Sequence, residues 1–175
     1  MRRLILLRHA KSDRGILGIP DHARPLNPRG KEAAKRMGAY MAKHHIVPDQ
    51  VFCSTAERTR ETWEIVQKAF TNPVATTFEK RLYDADAEGV LAVLHEIPPE
   101  AHTVMIVGHN PTMQDLATQL IAAGDIDQRA NLHQKFPTGA LVVIDFAVDS
   151  WTDVNLRTGR LDRFINPRSL GAWTD

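Results

Sequence analysis

The sequence predicts an α/β protein: a three-layer α/β/α sandwich around a mostly parallel central sheet. Two stretches carry most of that expectation. Leu4-Ile5-Leu6-Leu7 and Thr103-Val104-Met105-Ile106-Val107 are apolar without alternation, which suits strands buried on both faces. Around them lie stretches with apolar residues at three- and four-residue spacing, which suits helices with one buried face. At 175 residues one domain with a full core is expected, spanning the whole chain.

The elements follow in order. The first strand stops at Arg8-His9, and Asp13 to Asn27 reads as a loop rich in glycine, proline and charge. Asn27-Pro28 opens a helix, because Asn caps well and proline at the first helical position lacks an N–H that would be unpaired anyway. Ala33, Ala34, Met37, Tyr40 and Met41 form its stripe, and His44-His45 ends it, where a helix favours cations. A strand at Gln50–Cys53 and a helix from Ala56 to Phe70 come next, with Trp63, Val66 and Phe70 on the buried face and Ser54 or Thr55 as its cap. Arg58 then falls in the first turn, where free N–H groups and the helix dipole already favour an anion. Arg60 is assigned to the surface.

Thr76–Phe78 reads as a short strand, and Glu79 to Glu88 as a charged connection. A helix carrying Val90, Leu91, Leu94 and Ile97 is closed by Pro98-Pro99. After the strand ending at Val107 comes Gly108-His109-Asn110-Pro111, with Asn110 as cap of a helix marked by Met113, Leu116, Ala117, Leu120 and Ile121, and Gly124 as its stop. Asp125 to Thr138 is expected to be a long connection, and such loops tend to be functional. Ala140–Phe146 is a further strand, and Trp151 to Ile165 a turn and final strand; these are candidates for antiparallel pairing. The tail after Pro167 shows no pattern.

Composition narrows the function classes. The formal charge is +1 and basic residues are interspersed with acids, so nothing marks a nucleic-acid surface. Cys53 is the single cysteine, which excludes an internal disulfide and reads as a buried, inert thiol. Met1 leads straight into a strand without a signal region, and no apolar run is long enough to span a bilayer. A cytoplasmic monomer without membrane contact is expected.

Three strand ends carry two histidines and two arginines: Arg8-His9, Arg58 and His109. Arginine forks match phosphoryl oxygens in a bidentate way, and histidine serves as a nucleophile or acid/base near neutral pH. Arg8-His9-Ala10-Lys11-Ser12-Asp13, Asp21-His22-Ala23-Arg24-Pro25-Leu26-Asn27-Pro28-Arg29-Gly30, Val107-Gly108-His109-Asn110-Pro111 and Pro137-Thr138-Gly139-Ala140 together resemble the histidine phosphatase superfamily, the group of the phosphoglycerate mutases. Within it they look like the small SixA-type phosphohistidine phosphatase branch, and the likeness runs over nearly the whole chain.

That resemblance implies a phosphoglycerate mutase-like fold and a two-step transfer. His9 would attack phosphorus and become phosphohistidine, water would release it, and Arg8, Arg58 and His109 would hold the equatorial oxygens. Ser12 would orient the phosphate or cap the loop. Lys11, His22 and Arg24 lie on loops near the first strand end and are candidates for touching the protein or peptide around the phosphate, Lys11 and Arg24 foremost. Arginines would do the work of a metal, so no metal or other cofactor is expected, in keeping with the lack of metal-ligand spacing.

The superfamily's mutases and related phosphatases carry a glutamate acid between the second and third key strands. Here Asp84, Asp86 and Glu88 fall in that region, none as a clear match. A weak acid fits a P–N substrate: imidazole, with a pKa of about 6.5, is a tolerable leaving group, whereas an alkoxide needs a proton as it departs. The substrate expected is therefore phosphohistidine on a protein. Small phosphate esters or sugar phosphates are the alternative, and a non-catalytic phosphate-binding module is a third reading, against which the intact His9 and His109 speak.

Overall fold

The computed structural model describes residues 1–14 and 17–170. Seven strands form one sheet: β1 (Arg2–Arg8), β2 (Gln50–Ser54), β3 (Ala75–Glu79), β4 (Thr103–Gly108), β5 (Ile121–Ala123), β6 (Leu141–Phe146) and β7 (Gly159–Ile165), in the order β3-β2-β4-β1-β6-β7-β5. β1 pairs in parallel with β4, and β2 with both β3 and β4. β6 runs antiparallel to β1 and β7, while β5 is parallel to β7. β6 is thus the strand that runs against the rest.

The uninterrupted apolar run of β1 is explained by burial on both faces. Leu4 and Leu6 enter one core with Val90, Val93, Leu116 and Leu120. Ile5 and Leu7 enter the other with Met37, Met41, Trp63 and Val66. The first core lies under α4 (Ala87–His95), α5 (Thr112–Leu120) and α6 (Ile126–Gln134); the second lies under α1 (Pro28–Lys43) and α2 (Glu57–Gln67). This is the expected three-layer arrangement. α3 (Arg81–Asp84) is a single turn between β3 and α4.

Caps set several helix starts. Asn27 Oδ1 accepts from Gly30 N at 2.8 Å, with Pro28 in the first turn. Asp86 accepts from Gly89 N and starts α4. Asn110 Oδ1 accepts from Gln114 N at 3.1 Å, although α5 begins only at Thr112.

Five expectations need correction. The stretch 125–138 contains α6, capped by Asp125 on Gln128 N; its only buried residue is Leu132, so it shows no apolar period. α5 stops at Leu120 rather than near Gly124, because Ile121–Ala123 leaves the helix to pair with β7. Neither Ser54 nor Thr55 caps α2; Ala56 holds the cap position, and the Ser54 hydroxyl is engaged with His109. α2 ends at Gln67, and Lys68 to Phe70 continue it only through i→i−3 bonds. The chain after Pro167 forms a short 3₁₀ turn to Leu170, and the remainder of that tail lies outside the described residues.

Candidate active site

Because β2, β4 and β1 are neighbours in the sheet, Ser54, Gly108 and Arg8 finish their strands side by side. Ligands in open α/β sheets sit beyond such carboxyl ends. A pocket of about 170 Å3 opens there, lined by Arg8, His9, Arg58 and His109. Ser12, Arg14, Arg24, Asn110 and Thr138 complete its lining.

The chain after β1 is fastened from several directions. His9 N donates to Gly108 O at 3.0 Å, and Gly139 N donates to His9 O at 2.9 Å. Gly139 has φ +76°, a conformation that glycine adopts without strain. Ala10 N donates to the Thr62 hydroxyl at 2.9 Å, which in turn donates to Arg58 O at 2.7 Å. The backbone that carries His9 is thereby tied to the helix that carries Arg58.

His9 is 8 % exposed. Its Nδ1 lies 2.7 Å from Ala10 O. A carbonyl oxygen only accepts, so Nδ1 carries the ring proton and Nε2 keeps its lone pair. The His109 ring stands 5.5 Å from the His9 ring, centre to centre. His109 Nε2 lies 2.8 Å from the Ser54 hydroxyl. Ala56 N also donates to that hydroxyl oxygen, at 3.4 Å.

Each arginine is held by one edge only. Arg8 Nη1 donates to Phe136 O at 2.8 Å. Arg58 Nη1 donates to Asp21 O at 2.8 Å and Nη2 to Asp21 Oδ2 at 3.2 Å. Among the described residues five buried side-chain nitrogens have no partner: Arg2 Nε, Arg8 Nε, Arg36 Nε, Arg58 Nε and His109 Nδ1. Buried polar groups left open are rare and call for an explanation. Three of the five, on Arg8, Arg58 and His109, belong to residues that line this one pocket.

Burial pushes the His9 pKa down to about 3, with His109, Arg8 and Arg58 adding to the depression against the hydrogen bond to Ala10. His109 is pushed down to about 4 by burial first and Arg58 second. Both rings are therefore neutral at physiological pH. Burial and the nearby Arg14 lower the Arg8 pKa. Cys53 is buried and its thiol is pushed up to about 12, so it offers no thiolate.

Of the residues singled out in the sequence, His9, Arg8, Arg58, His109, Ser12 and Arg24 meet at this pocket. Arg24 Nη1 donates to the Ser12 hydroxyl at 2.8 Å. Lys11 is exposed and does not line the pocket. Ser12 bridges to Leu26 in extended conformation, and successive side chains of an extended chain point to opposite sides. Asp84 and Glu88 are exposed and Asp86 caps α4; none of the three lines the pocket.

Several contributors had no role in the sequence reading. In the sequence Ser54 is a cap candidate and opens the Ser54-Thr55-Ala56-Glu57-Arg58-Thr59 motif, without a site role of its own. Arg14 and Thr138 lie inside motif or loop segments without a signal of their own. Asp21 and Tyr83 pair across 62 positions, Tyr83 donating to Asp21 Oδ2 at 2.5 Å. Among the described residues, no group of three or more His, Cys, Asp or Glu could hold a metal ion. No helix among them is long and apolar enough to cross a membrane.

Residues 4–89 match the model of the histidine phosphatase superfamily (branch 1). The chain belongs to that superfamily. Within it the likeness is to SixA-type members. A structure from Agrobacterium tumefaciens, whose assignment as the phosphohistidine phosphatase SixA is provisional, is 33 % identical, with a TM-score of 0.81 over 95 % of this chain and 98 % of that one. A protein histidine phosphatase SixA solved with tungstate shares the fold at 19 % identity, with a TM-score of 0.77 over 96 % and 99 % of the two chains. An uncharacterized protein of Mycobacterium leprae is 36 % identical over 93 % of this chain and its own full length.

Proposed function

We propose that the protein is a phosphatase that removes phosphate from phosphohistidine on a protein, with His9 as nucleophile. One observation carries the reading: Arg8 Nε, Arg58 Nε and His109 Nδ1, three of the five buried side-chain nitrogens without partners among the described residues, belong to the residues that surround His9 in one pocket. A phosphoryl group supplies the missing acceptors. Its equatorial oxygens take these three donors, and the charge that spreads over them in the transition state is met where it develops.

His9 Nε2 attacks phosphorus in line and the leaving group departs on the opposite side. The phosphoenzyme then carries phosphate on Nε2 and the proton on Nδ1, still donated to Ala10 O. Water adds to phosphorus, His9 leaves as neutral imidazole, and both water protons remain on the product phosphate. The second step thus needs no separate acid for the leaving group. Arginines and histidines carry the charge stabilisation throughout, so the reaction is expected to run with a chelator present.

The substrate follows from what the pocket lining lacks. Among the described residues it contains no carboxylic acid, so an alkoxide would leave unprotonated, whereas imidazole is a far better leaving group. The provisional SixA assignment of the Agrobacterium tumefaciens neighbour supports the same substrate.

The test is phosphate release in chelator from a histidine-phosphorylated protein and from a panel of phosphate esters, for wild type and His9→Ala. The expected result is release from the phosphohistidine substrate alone, lost in His9→Ala. Turnover of many esters, also lost in His9→Ala, would retain the nucleophile and overturn the substrate. Phosphate binding without turnover of anything would overturn the enzyme reading.

A further inference from the structure

The Asp21 carboxylate is held by three donors, one of them the pocket-lining Arg58 and another the pocket-lining Arg24. It accepts from the Tyr83 hydroxyl at 2.5 Å, from Arg24 Nε at 3.0 Å and from Arg58 Nη2 at 3.2 Å. A carboxylate offers about four acceptor positions, so one is left, and the side chain is 56 % exposed. The neighbours locate it. The Tyr83 ring stands edge-on to His109 at 5.6 Å and beside the Arg58 guanidinium at 6.0 Å. The His22 ring packs edge-on to Tyr83 at 4.7 Å. Asp21 is thus joined to Arg58 and Arg24 of the pocket lining and to Tyr83, which faces His109; it is half exposed where His9 is buried, and a leaving group must depart toward solvent.

We propose that Asp21 is a catalytic residue that acts as an acceptor: its carboxylate holds the N–H of the distal ring nitrogen of the substrate's phosphoimidazole. This deepens the phosphohistidine reading and rests on it. A phosphoimidazole with a bare distal nitrogen would have to leave as an imidazolate. With a proton on that nitrogen it leaves as neutral imidazole. Asp21 would do for the substrate what Ala10 O does for His9, whose Nδ1 it holds at 2.7 Å.

The step balances without a proton transfer. The Nε2–P bond forms with the His9 lone pair, and the substrate's N–P bond breaks with its electron pair going to the departing nitrogen. The substrate ring leaves neutral, its distal proton still on Asp21. His9 becomes the phosphorylated, Nδ1-protonated ring, so the two imidazoles have exchanged roles. A carboxylic acid is not needed, and an ionised carboxylate is what the chemistry requires. Hydrogen bonding from Tyr83 above all, with Arg24 and Arg58, holds the Asp21 carboxyl well below the usual carboxylate range.

The experiment compares wild type and Asp21→Asn on two substrates: a phosphohistidine peptide, and an N-phosphoimidazole methylated on its distal nitrogen. The methylated ring has no N–H to hold and always leaves neutral. Breakdown of the isolated His9 phosphoenzyme is followed separately. Asp21→Asn is expected to lose about 100-fold in kcat on the peptide, in the range of acid–base contributions. On the methylated substrate it falls only severalfold, through the loosened Arg58, and phosphoenzyme breakdown changes no more than that. Tyr83→Phe removes a donor, leaves the charge in place and keeps the wild-type preference between the two. Equal losses on both substrates would reduce Asp21 to a clamp for Arg58 and overturn the proposal, as would loss of the preference in Tyr83→Phe. Wild type inactive on the peptide but active on p-nitrophenyl phosphate would overturn the substrate reading, and this inference with it.

Discussion

The Ser54 hydroxyl lies 2.8 Å from His109 Nε2, and it is fully buried. With the hydroxyl donating to Nε2, the ring proton of His109 sits on Nδ1, which is buried without a partner among the described residues. Ser54→Ala removes the contact and lets the neutral ring place its proton on either nitrogen. One hydrogen bond of this kind is worth about 1 kcal/mol, so kcat should fall roughly five- to tenfold with KM changed less. Steady-state kinetics at saturating phosphohistidine substrate check this; an unchanged kcat would remove Ser54 from the positioning of His109.

Gly30 sits where α1 crosses the chain after His9. A Cβ built there would lie 2.0 Å from Lys11 O and 2.8 Å from Lys11 N. Both are backbone atoms, so the helix and the loop must separate. Gly30→Ala is expected to cost about 3 kcal/mol, lowering Tm by roughly 6–12 °C. Calorimetry reads the shift.

Arg14 and Lys11 should behave in opposite ways. Arg14 lines the pocket and lies close enough to depress the Arg8 pKa; Lys11 is exposed and outside it. Arg14→Ala should raise KM about two- to fivefold, as the loss of one exposed charge implies, and the effect should shrink in high salt. Lys11→Ala should leave both constants unchanged.

The two buried histidines give stability a defined pH dependence. Both titrate near 6.5 when unfolded and near 3 and 4 in the folded protein. Between those values the unfolded chain binds more protons, so stability falls as pH drops from about 6.5 toward 4, and above 6.5 the pair contributes no slope. Urea unfolding at pH 7.5 and 5 should show the fall in wild type and a smaller one in His9→Asn. Equal losses in both proteins would refute the assignment.

Much of the fold is legible because its signals are local. Leu4 to Leu7 has no alternation because both faces of β1 are covered, and Asn27-Pro28 marks a helix start through a cap that reaches only three residues. α6 escaped because one buried leucine makes no period. β5 escaped because three residues become a strand only when β7 is there to pair. The same division holds in the site. Arg8, His9, Arg58 and His109 stand out because they interrupt or follow apolar strands. Asp21 and Tyr83 do not, since an aspartate in a loop and a tyrosine in a short helix look like surface until the fold sets one against the other.

The sequence by itself determined the alternation of strands and helices, the ends where Arg8, His9 and His109 emerge, and the superfamily they mark. Period, cap and chain order are properties of neighbouring residues. The tertiary structure decided which side chains share the pocket, which nitrogen of His9 is free, and that Ser54 serves His109 rather than a helix start. Those outcomes depend on the order of β2, β4 and β1 in the sheet and on hydrogen bonds between residues tens of positions apart, which exist only once both cores have closed.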